Sequence, residues 1–263
     1  MKQILTIAGS DSGGGAGIQA DIKAISANGG YAMSVITSVT AQNTVAVTDA
    51  FDLPISLIEA QLDAVFTDFD VASVKTGMLS SSAIVEAVTG KLKEYTPPTL
   101  VVDPVMISKS KFPLLKAEAI DSLKTALIPL ATVITPNIYE AELLAQQDIR
   151  NTDEAKNAAK AIAELGCHAV LVKGGHLTGS SAVDVLYCNG EWDFFQAEWV
   201  ETENTHGTGC TYSAAIATQL AHGKNLRDAI ETAKAYITGA IQHALDIGQG
   251  HGPTHHFFKA ISD

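Results

Sequence analysis

The chain has 263 residues, 46% of them hydrophobic and 17% charged, and its formal net charge is −12. This composition is typical of a globular protein and excludes intrinsic disorder. An acidic chain without a basic stripe argues against binding to nucleic acid or to an anionic membrane. The apolar runs are far shorter than the roughly 20 residues of a membrane span, and we expect no secretory signal. The three cysteines lack CxxC spacing, so we expect free thiols in a cytoplasmic protein, with no disulfide framework and no zinc site.

Short apolar runs rich in β-branched residues alternate with longer segments rich in Ala, Leu, Ile, Glu and Lys. The strand candidates are 3–8, 34–41, 71–76, 100–102, 132–135 and 169–172. The helix candidates are 16–27, 55–66, 81–93, 117–127 and 138–163, the last of which is expected to break near 148–151. Apolar strands separated by helices predict an α/β fold with a parallel sheet covered on both faces.

The last third of the chain predicts a hairpin and two closing helices. Asn189-Gly190 lies between the strand-like runs 183–187 and 193–199, a strong signal for an antiparallel edge. Helices are predicted over 208–221 and 226–247. No stretch has the composition of a linker, so we expect a single domain over residues 1–263.

The glycine-rich segment Gly9–Gly17 lies between the first strand and the first helix. Because open parallel sheets bind ligands at the carboxyl ends of their strands, we interpret it as a ligand-facing loop, the alternative being a flexible turn. It lacks the later acidic residue of a dinucleotide site and the Gly-Lys-Ser/Thr of a P-loop. Asp21, one turn into the helix, either faces the same crevice or is a solvated acid.

Gln42 follows the second strand, in the segment Thr40-Ala-Gln-Asn43. A carboxamide both donates and accepts hydrogen bonds, so Gln42 is a candidate for reading a ring that carries adjacent donor and acceptor groups. The alternative is an ordinary polar loop residue.

Polar residues follow two further strands, Asp103 after the one and Asn137 with Glu140 after the other. Both segments should reach the same edge of the sheet. An amide oxygen and a carboxylate three residues apart could order the waters of Mg²⁺, which keeps much of its hydration shell. The alternative is a capping box at the start of a helix.

Lys173 follows the last parallel strand, in Lys173-Gly-Gly-His176. A lysine at this edge is well placed to meet phosphate oxygens, and the alternative is an ordinary loop lysine.

The segment Asn204–Thr211 opens a helix of small apolar residues. Helix N-termini present free N–H groups, and Gly207 and Gly209 let the backbone wrap an oxyanion, which stabilises charge on a transferred phosphoryl group. Cys210 lies in the first helical turn, where the pKa of a thiol is expected to be lowered. It then acts as a base toward an alcohol or holds its hydroxyl; the alternative is a small buried side chain.

The histidine-rich segment 250–256 has no accompanying carboxylate or second spaced pair, so we expect it to have a packing or polar role and not to bind a metal.

In this order, the motifs resemble the ribokinase-like superfamily and, within it, the bacterial hydroxymethylpyrimidine/phosphomethylpyrimidine kinases. Many superfamily relatives carry Asp in a Gly-Thr-Gly-Asp sequence, whereas Cys210 takes that place here, as it does in the pyrimidine kinases. The resembling segments span essentially the whole chain: 8–21, 39–44, 75–78, 103–106, 135–137, 173–176, 205–210 and 250–256.

The resemblance implies a three-layer α/β/α fold with a central, mostly parallel sheet. It implies ATP-dependent phosphorylation of 4-amino-5-hydroxymethyl-2-methylpyrimidine, and then of its monophosphate to the diphosphate, in thiamine biosynthesis. It also implies Mg²⁺ as a cofactor and a homodimer.

The resemblance also implies roles for individual residues. Gln42 pairs with the aminopyrimidine, and the residues near the ring or its hydroxymethyl group are Ala16, Asp21, Met78 and Val105. The residues expected to bind ATP are Lys173, Thr205 and His206. Those expected at the catalytic centre are Gly207, Thr208, Gly209 and Cys210. Those expected to serve magnesium are Asp103, Asn137 and Glu140.

Three other functions stay open at the level of sequence. A pyridoxal or pyridoxine kinase is the nearest, because its substrate is also a small ring bearing a hydroxymethyl group. A non-catalytic protein that senses pyrimidine or vitamin ligands is the second. A nicotinamide-dependent oxidoreductase, suggested by the glycine-rich loop, is the most distant.

Overall fold

A computed structural model describes residues 1–107, 114–175 and 181–260. Within these residues, one nine-stranded sheet has the strand order β3-β2-β1-β4-β5-β6-β7-β8-β9. The strands are β1 Gln3–Asp11, β2 Tyr31–Gln42, β3 Val47–Asp52, β4 Val71–Thr76, β5 Leu100–Val102, β6 Val133–Ile134, β7 Ala169–Val172, β8 Ser181–Cys188 and β9 Glu191–Glu198.

The centre of the sheet is parallel and both edges are antiparallel. Strands β2, β1, β4, β5, β6 and β7 pair in parallel, whereas β3 pairs antiparallel with β2, and β8 with β7 and β9. The chain order reverses at β1, which lies between β2 and β4. In open α/β sheets, a ligand crevice forms at the carboxyl ends beside such a reversal.

Helices cover both faces of the sheet. They are α1 Gly17–Ala27, α2 Ile55–Asp68, α3 Ser82–Tyr95, α4 Ala119–Ser122, α5 Ile138–Ala145, α6 Thr152–Ala163, α7 Thr208–Ala221 and α8 Leu226–Gln242. Helix α4 continues through a π turn, Leu123–Leu127, and a 3₁₀ turn, Ile128–Leu130.

The apolar core divides into two clusters because successive strand side chains point to opposite faces. On β5, Val102 joins the cluster under helices α2 to α6, whereas Val101 joins the cluster under α1, α7 and α8. On β1, Leu5 and Ile4 divide in the same way. The predicted layers of helix, sheet and helix are thus confirmed.

The predicted elements agree with the structure except at two places. The hairpin is confirmed, with φ values of +51° at Asn189 and +84° at Gly190, as a two-residue turn with both central residues left-handed requires. Strand β3 was missed, because its sequence Val-Thr-Asp-Ala-Phe-Asp has no apolar run and its side chains are mostly exposed. The last helix ends at Gln242 and not at residue 247, since the chain leaves the helix to pair with the C-terminal segment, where Leu245 N–H donates to the Pro253 carbonyl.

Candidate active site

The predicted site residues lie in loops at the carboxyl edge of the parallel sheet. The glycine-rich loop follows β1, and α7 packs over β1, β4 and β5. The side chains contributed by the other loops are Gln42 at the end of β2, Met78 after β4, Asp103 after β5, Asn137 after β6 and Lys173 after β7.

The N-terminus of α7 is built against the glycine-rich loop. Gly207 is the N-cap residue, with φ +77°, and a Cβ there would overlap the Gly15 carbonyl. Only glycine combines this backbone conformation with so close an approach. The first turn of α7, which carries Thr208, Gly209 and Cys210, therefore opens onto the loop that was predicted to face a ligand.

Lys173 reaches the same helix turn. Its Nζ lies 2.9 Å from Asp103 Oδ1, and a Cβ on Gly209 would lie 3.3 Å from that Nζ. Burial alone would lower the pKa of Lys173, but the carboxylates of Asp103 and Glu140 hold it above its ordinary value. A permanent cation and a helix N-terminus thus converge on one point, which is the arrangement that binds a phosphate.

Asn137 and Glu140 form a capping box at the start of α5. The Asn137 side chain accepts the Glu140 N–H at 2.9 Å, and Glu140 Oε2 accepts the Asn137 N–H at 2.8 Å. The capping box, which was the alternative interpretation of this pair, is therefore present. A role in magnesium binding has to be compatible with it.

Glu140 also lies near the charged side chains of Lys173 and Asp103. Burial raises its pKa to about 7, and Asp103 adds to the rise while Lys173 opposes it. Among the described residues, no group of three or more His, Cys, Asp or Glu is arranged to hold a metal ion. Asp103 and Glu140 fit a hydrated magnesium ion, which is held through its waters and by substrate phosphates.

The expected lowering of the Cys210 pKa is wrong. Burial raises the pKa of this thiol to about 12; Lys75 opposes the rise, whereas Asp21 and Asp103 add to it. Desolvation, with the carboxylates of Asp21 and Asp103 nearby, outweighs the lowering by Lys75 and by the hydrogen bond with the Gly17 backbone. Cys210 is therefore a neutral thiol at neutral pH, and it can hold a hydroxyl group more readily than it can remove a proton from one.

Asp21 is not a solvated helix acid, because its partner Lys75 lies beneath the site. The two side chains are fully buried, with Lys75 Nζ 2.9 and 2.8 Å from the two Asp21 oxygens, and Thr6 Oγ1 donates to Asp21 at 2.6 Å. Burial alone would lower the pKa of Lys75, but the Asp21 carboxylate holds it above its ordinary value. The amine therefore stays charged. Sequence reasoning assigned no role to Lys75; its place in the central strand β4, where a lysine is unusual, was the available signal.

Asp11 is a second residue that sequence reasoning missed. It is buried at the end of β1, and its carboxylate accepts the N–H groups of Gly13, Gly15 and Ala16 at 2.8 to 3.0 Å. His206 Nε2 lies 2.8 Å from the same carboxylate. The His206 side chain, predicted to serve ATP, therefore points into the glycine-rich loop.

The remaining predicted residues lie around these groups. A Cβ on Gly9 would lie 3.0 Å from Met78 Sδ, so Met78 packs on the glycine-rich loop. Val105, two residues after Asp103, is half-buried. Thr208 Oγ1 donates to the Thr205 carbonyl at 2.7 Å, which holds the turn before α7.

The histidine-rich C-terminal segment has a structural role, as expected. His256 is buried with Nε2 2.9 Å from Thr211 Oγ1, and burial lowers its pKa to about 4. His206 N–H donates to the Gly252 carbonyl at 3.1 Å, so this segment supports the start of α7. His176, by contrast, lies outside the described residues.

Comparisons with known proteins agree with this architecture. A model of the family described as phosphomethylpyrimidine kinase matches residues 11–255. The hydroxymethylpyrimidine/phosphomethylpyrimidine kinase of Haemophilus influenzae is 49% identical over 261 residues, which cover 98% of this chain and 97% of that protein.

Two solved structures resemble the whole fold. The phosphomethylpyrimidine kinase of Clostridium difficile has a TM-score of 0.82 and 48% identity, and the match covers 92% of this chain and 100% of the other. The pyridoxal kinase of Bacillus subtilis, solved as an ADP complex, has a TM-score of 0.93, 39% identity and complete coverage of both chains. The family match spans most of the chain, and two of these relatives are nearly half identical over almost all of it. This chain therefore belongs to the phosphomethylpyrimidine kinase family.

Proposed function

We infer that this chain transfers the γ-phosphoryl group of ATP to 4-amino-5-hydroxymethyl-2-methylpyrimidine, and then a second one to the resulting monophosphate. The observation that carries this proposal is the convergence of Lys173 with the α7 N-terminus, directly beside the half-buried Cys210 thiol. The names of the family and of its relatives in Haemophilus influenzae and Clostridium difficile support the substrate and the reaction.

Contacts in the structure support a role for each of these groups. The backbone amides of 207–209 and the Lys173 ammonium hold the transferred phosphoryl group and the charge that spreads over it. Thr205 holds the turn that presents those amides. The Cys210 thiol holds the attacking hydroxyl, because at neutral pH it stays protonated. Positioning and electrostatics then supply most of the rate enhancement.

The pyrimidine ring belongs in the crevice between the glycine-rich loop and the end of β2. Gln42 offers a donor and an acceptor to the ring edge, while Ala16 and Met78 line the loop side. Val105 closes the pocket beyond β5. Asp21 already pairs with Lys75. It therefore acts on the substrate only through the electrostatic field of this buried ion pair.

Magnesium is proposed to lie beside Asp103 and Glu140, with Asn137 holding Glu140 in place through the capping box. When bound, the ion neutralises phosphate charge. The chain itself would contact its waters through the carboxylates, and Lys173 would keep Asp103 ionised.

A pyridoxal kinase activity, alone or alongside the first, is a second candidate. The observation that favours it is the match to Bacillus subtilis pyridoxal kinase over the entire chain. Both substrates present a hydroxymethyl group on a small nitrogen ring, so the crevice has to discriminate by the polar groups on the ring.

One incubation separates these candidates. The purified protein is mixed with Mg-ATP and either the hydroxymethylpyrimidine or pyridoxal, and products are followed by mass. Formation of the pyrimidine diphosphate is expected, because the second acceptor is a phosphate oxygen that needs no base. Turnover of pyridoxal alone would overturn the assignment.

Cys210→Ala tests the role of the thiol. We expect roughly a tenfold loss in the first phosphorylation, whose hydroxyl nucleophile loses its hydrogen bond to the thiol, and a smaller loss in the second, whose nucleophile is a phosphate oxygen and not that hydroxyl. The measurement is kcat with each purified pyrimidine, and Cys188→Ala on the hairpin is the matched control. Equal losses in both steps would show that Cys210 acts on the phosphoryl group and not on the hydroxyl.

We also propose that residues 1–263 form one kinase domain, acting as a cytoplasmic homodimer. The continuous nine-stranded sheet supports the single domain. In the three described ranges of the chain, no helix is long and apolar enough to cross a membrane. Light scattering of the purified protein measures its oligomeric state, and a monomer would contradict the dimer.

A further inference from the structure

Asp11 and His206 join the two loops that form the proposed site. The Asp11 carboxylate accepts three backbone N–H groups of the glycine-rich loop, and His206 immediately precedes the N-cap residue of α7. The His206 ring also lies against the loop itself, since a Cβ on Gly15 would overlap it. The pair therefore sets the distance between the loop and the helix N-terminus.

His206 is held on its backbone side as well. Its N–H donates to the Gly252 carbonyl at 3.1 Å, and its carbonyl accepts the Thr254 N–H at 3.5 Å. Pro253, between them, forms a parallel bridge with His206. These contacts fix the backbone position from which the His206 side chain reaches Asp11.

The contact with Asp11 shows that His206 Nε2 carries a hydrogen. Asp11 Oδ2 already accepts two backbone N–H groups and lies 2.8 Å from His206 Nε2. Burial alone would raise the pKa of Asp11, but the bond from His206 and those from the Ala16 and Gly13 N–H groups hold it below its ordinary value. Because an ionised carboxylate can only accept, His206 Nε2 carries a hydrogen and donates it to Asp11.

That donor also faces Gln42. The nitrogen end of the Gln42 carboxamide lies 3.3 Å from His206 Nε2, and the oxygen end lies 3.2 Å from Thr40 Oγ1. Thr40 has one hydroxyl hydrogen, and its better acceptor is the Ser10 carbonyl at 2.8 Å. With the carboxamide oriented this way, two donors face each other at His206 and two acceptors face each other at Thr40.

Turning the carboxamide over by 180° relieves both contacts: the Gln42 NH₂ group then donates to Thr40 Oγ1, and the Gln42 oxygen faces the single Nε2 hydrogen of His206 as a second acceptor beside Asp11. We propose that His206, held by Asp11, is a positioning residue that keeps the Gln42 oxygen toward His206 and its NH₂ group toward Thr40. This orientation sets the order in which Gln42 presents an acceptor and a donor to the ring. The proposal rests on the proposed function, in which Gln42 reads the pyrimidine.

The consequence is a specificity that depends on His206. A carboxamide locked in one orientation pairs with a ring that has its amino donor on one side, and rejects a ring whose oxo group replaces the amino group. Without His206, the carboxamide can turn over and accept either ring. The loss of selectivity distinguishes positioning from a general loosening of the site.

The first test measures the orientation in the wild-type protein. Nuclear Overhauser effects from the Gln42 side-chain NH₂ protons are expected to the Thr40 side chain. Contacts of these protons with the His206 ring, and none with Thr40, would overturn the proposal.

The second test measures selectivity for 4-amino-5-hydroxymethyl-2-methylpyrimidine over its 4-oxo analogue, as a ratio of kcat/KM values. His206→Leu should reduce this ratio by roughly tenfold, mainly through the KM for the aminopyrimidine. His206→Gln should restore most of the ratio, because its NH₂ group can donate to Asp11. In a Gln42→Ala background, His206→Leu should leave the ratio unchanged.

Each outcome has a defined meaning. A wild-type protein that phosphorylates neither pyrimidine overturns the proposed function and, with it, this inference. An active wild-type protein whose selectivity survives His206→Leu overturns the inference alone, as does an equal loss on both rings. If His206→Leu does not fold, Thr40→Val removes the partner at the other end of the carboxamide and should lower selectivity in the same direction; an unchanged ratio overturns the proposal.

Discussion

At the scale of single residues, the site depends on buried charges that are paired. Lys75 and Asp21 form a pair without contact with solvent, and Lys173 pairs with Asp103. Removing one member of such a pair leaves the other charge buried without a partner, which costs more than the pair itself contributes. The same groups act on Cys210: burial raises the pKa of its thiol, Lys75 opposes the rise, and the carboxylates of Asp21 and Asp103 add to it.

The alkylation rate of Cys210 tests this description. Because burial and the carboxylates raise the pKa of Cys210 to about 12, only a very small fraction is thiolate at pH 7.5. We expect iodoacetamide to react with Cys210 at least about a hundredfold more slowly than with a free thiol, whose pKa is near 8.5. The rate should rise about tenfold per pH unit from pH 7 to 9.

Peptide mapping by mass spectrometry assigns the modified cysteine, and Cys210→Ser confirms the assignment. A rate that reaches a plateau below pH 8 would mean that the helix N-terminus dominates after all and that Cys210 is a thiolate when the enzyme works.

At the scale of elements, the start of α5 combines a structural and a proposed functional role. The capping box satisfies backbone N–H groups that the helix cannot pair internally. The same Glu140 faces Lys173 and Asp103 across the carboxyl edge. The cap thus fixes where the carboxylate lies, and burial, together with the charges of Lys173 and Asp103, determines the pH at which it ionises.

Two substitutions separate these roles. Asn137→Ala removes the cap and should lower the free energy of unfolding by about 1 kcal/mol. Glu140→Gln keeps a side-chain acceptor for the Asn137 N–H but removes the charge. It should therefore raise the Mg²⁺ concentration needed for half-maximal activity more than Asn137→Ala does.

The pH dependence of stability gives Glu140 a signature of its own. Its pKa is raised from 4.5 to about 7 in the folded state. Its favourable contribution to folding is thus complete below pH 4.5 and is lost as the pH rises through 7. Glu140→Gln, uncharged at every pH, should gain about 1–3 kcal/mol relative to the wild type between pH 5.5 and 8.

Urea unfolding at the two pH values measures this gain, with Glu142→Gln on the same helix as the control. A difference between Glu140→Gln and the wild type that stays constant from pH 5.5 to 8 would mean that Glu140 ionises as an ordinary surface acid.

At the scale of the whole molecule, the C-terminal segment links the two halves of the proposed site. Thr44 Oγ1 accepts the N–H groups of Gln249 and Gly250, each at 3.1 Å, and the Thr44 carbonyl accepts the His251 N–H at 3.0 Å. Gly252 then contacts the start of α7 through Asn204. The loop after Gln42 and the segment that leads into α7 are therefore linked by residues 249–252, which are remote from both in the sequence.

Thr44→Ala should weaken the contact between the loop after Gln42 and the C-terminal segment. Two amides lose their acceptor, so we expect hydrogen exchange at Gln249 and Gly250 to accelerate by roughly tenfold, while the core amides of β1 keep their protection. Thr44→Ser retains the hydroxyl and is the matched control. Unchanged exchange in Thr44→Ala would show that the segment is held mainly by its own packing.

Local patterns in the sequence determined most of the architecture of this protein. Apolar runs predicted the parallel strands, Asn189-Gly190 predicted the hairpin, and the strand-end motifs predicted which loops meet at one edge. These features depend on neighbours in the chain, so they can be read from the chain. Strand β3 was missed because an exposed edge strand has no apolar run to signal it.

Only the tertiary structure decided which charges meet at the site. The partners of Asp11 and Asp21 are His206 and Lys75, far away along the chain, and the pKa of Cys210 follows from burial and from carboxylates on other elements. Desolvation and Coulomb interactions depend on distance in space and not on sequence separation, so no local motif reports them. The sequence by itself predicted that a helix N-terminus carrying a thiol lies at the ligand-facing edge of the sheet; the tertiary structure decided that burial beside Asp21 and Asp103 keeps the thiol neutral and that His206 turns toward Gln42.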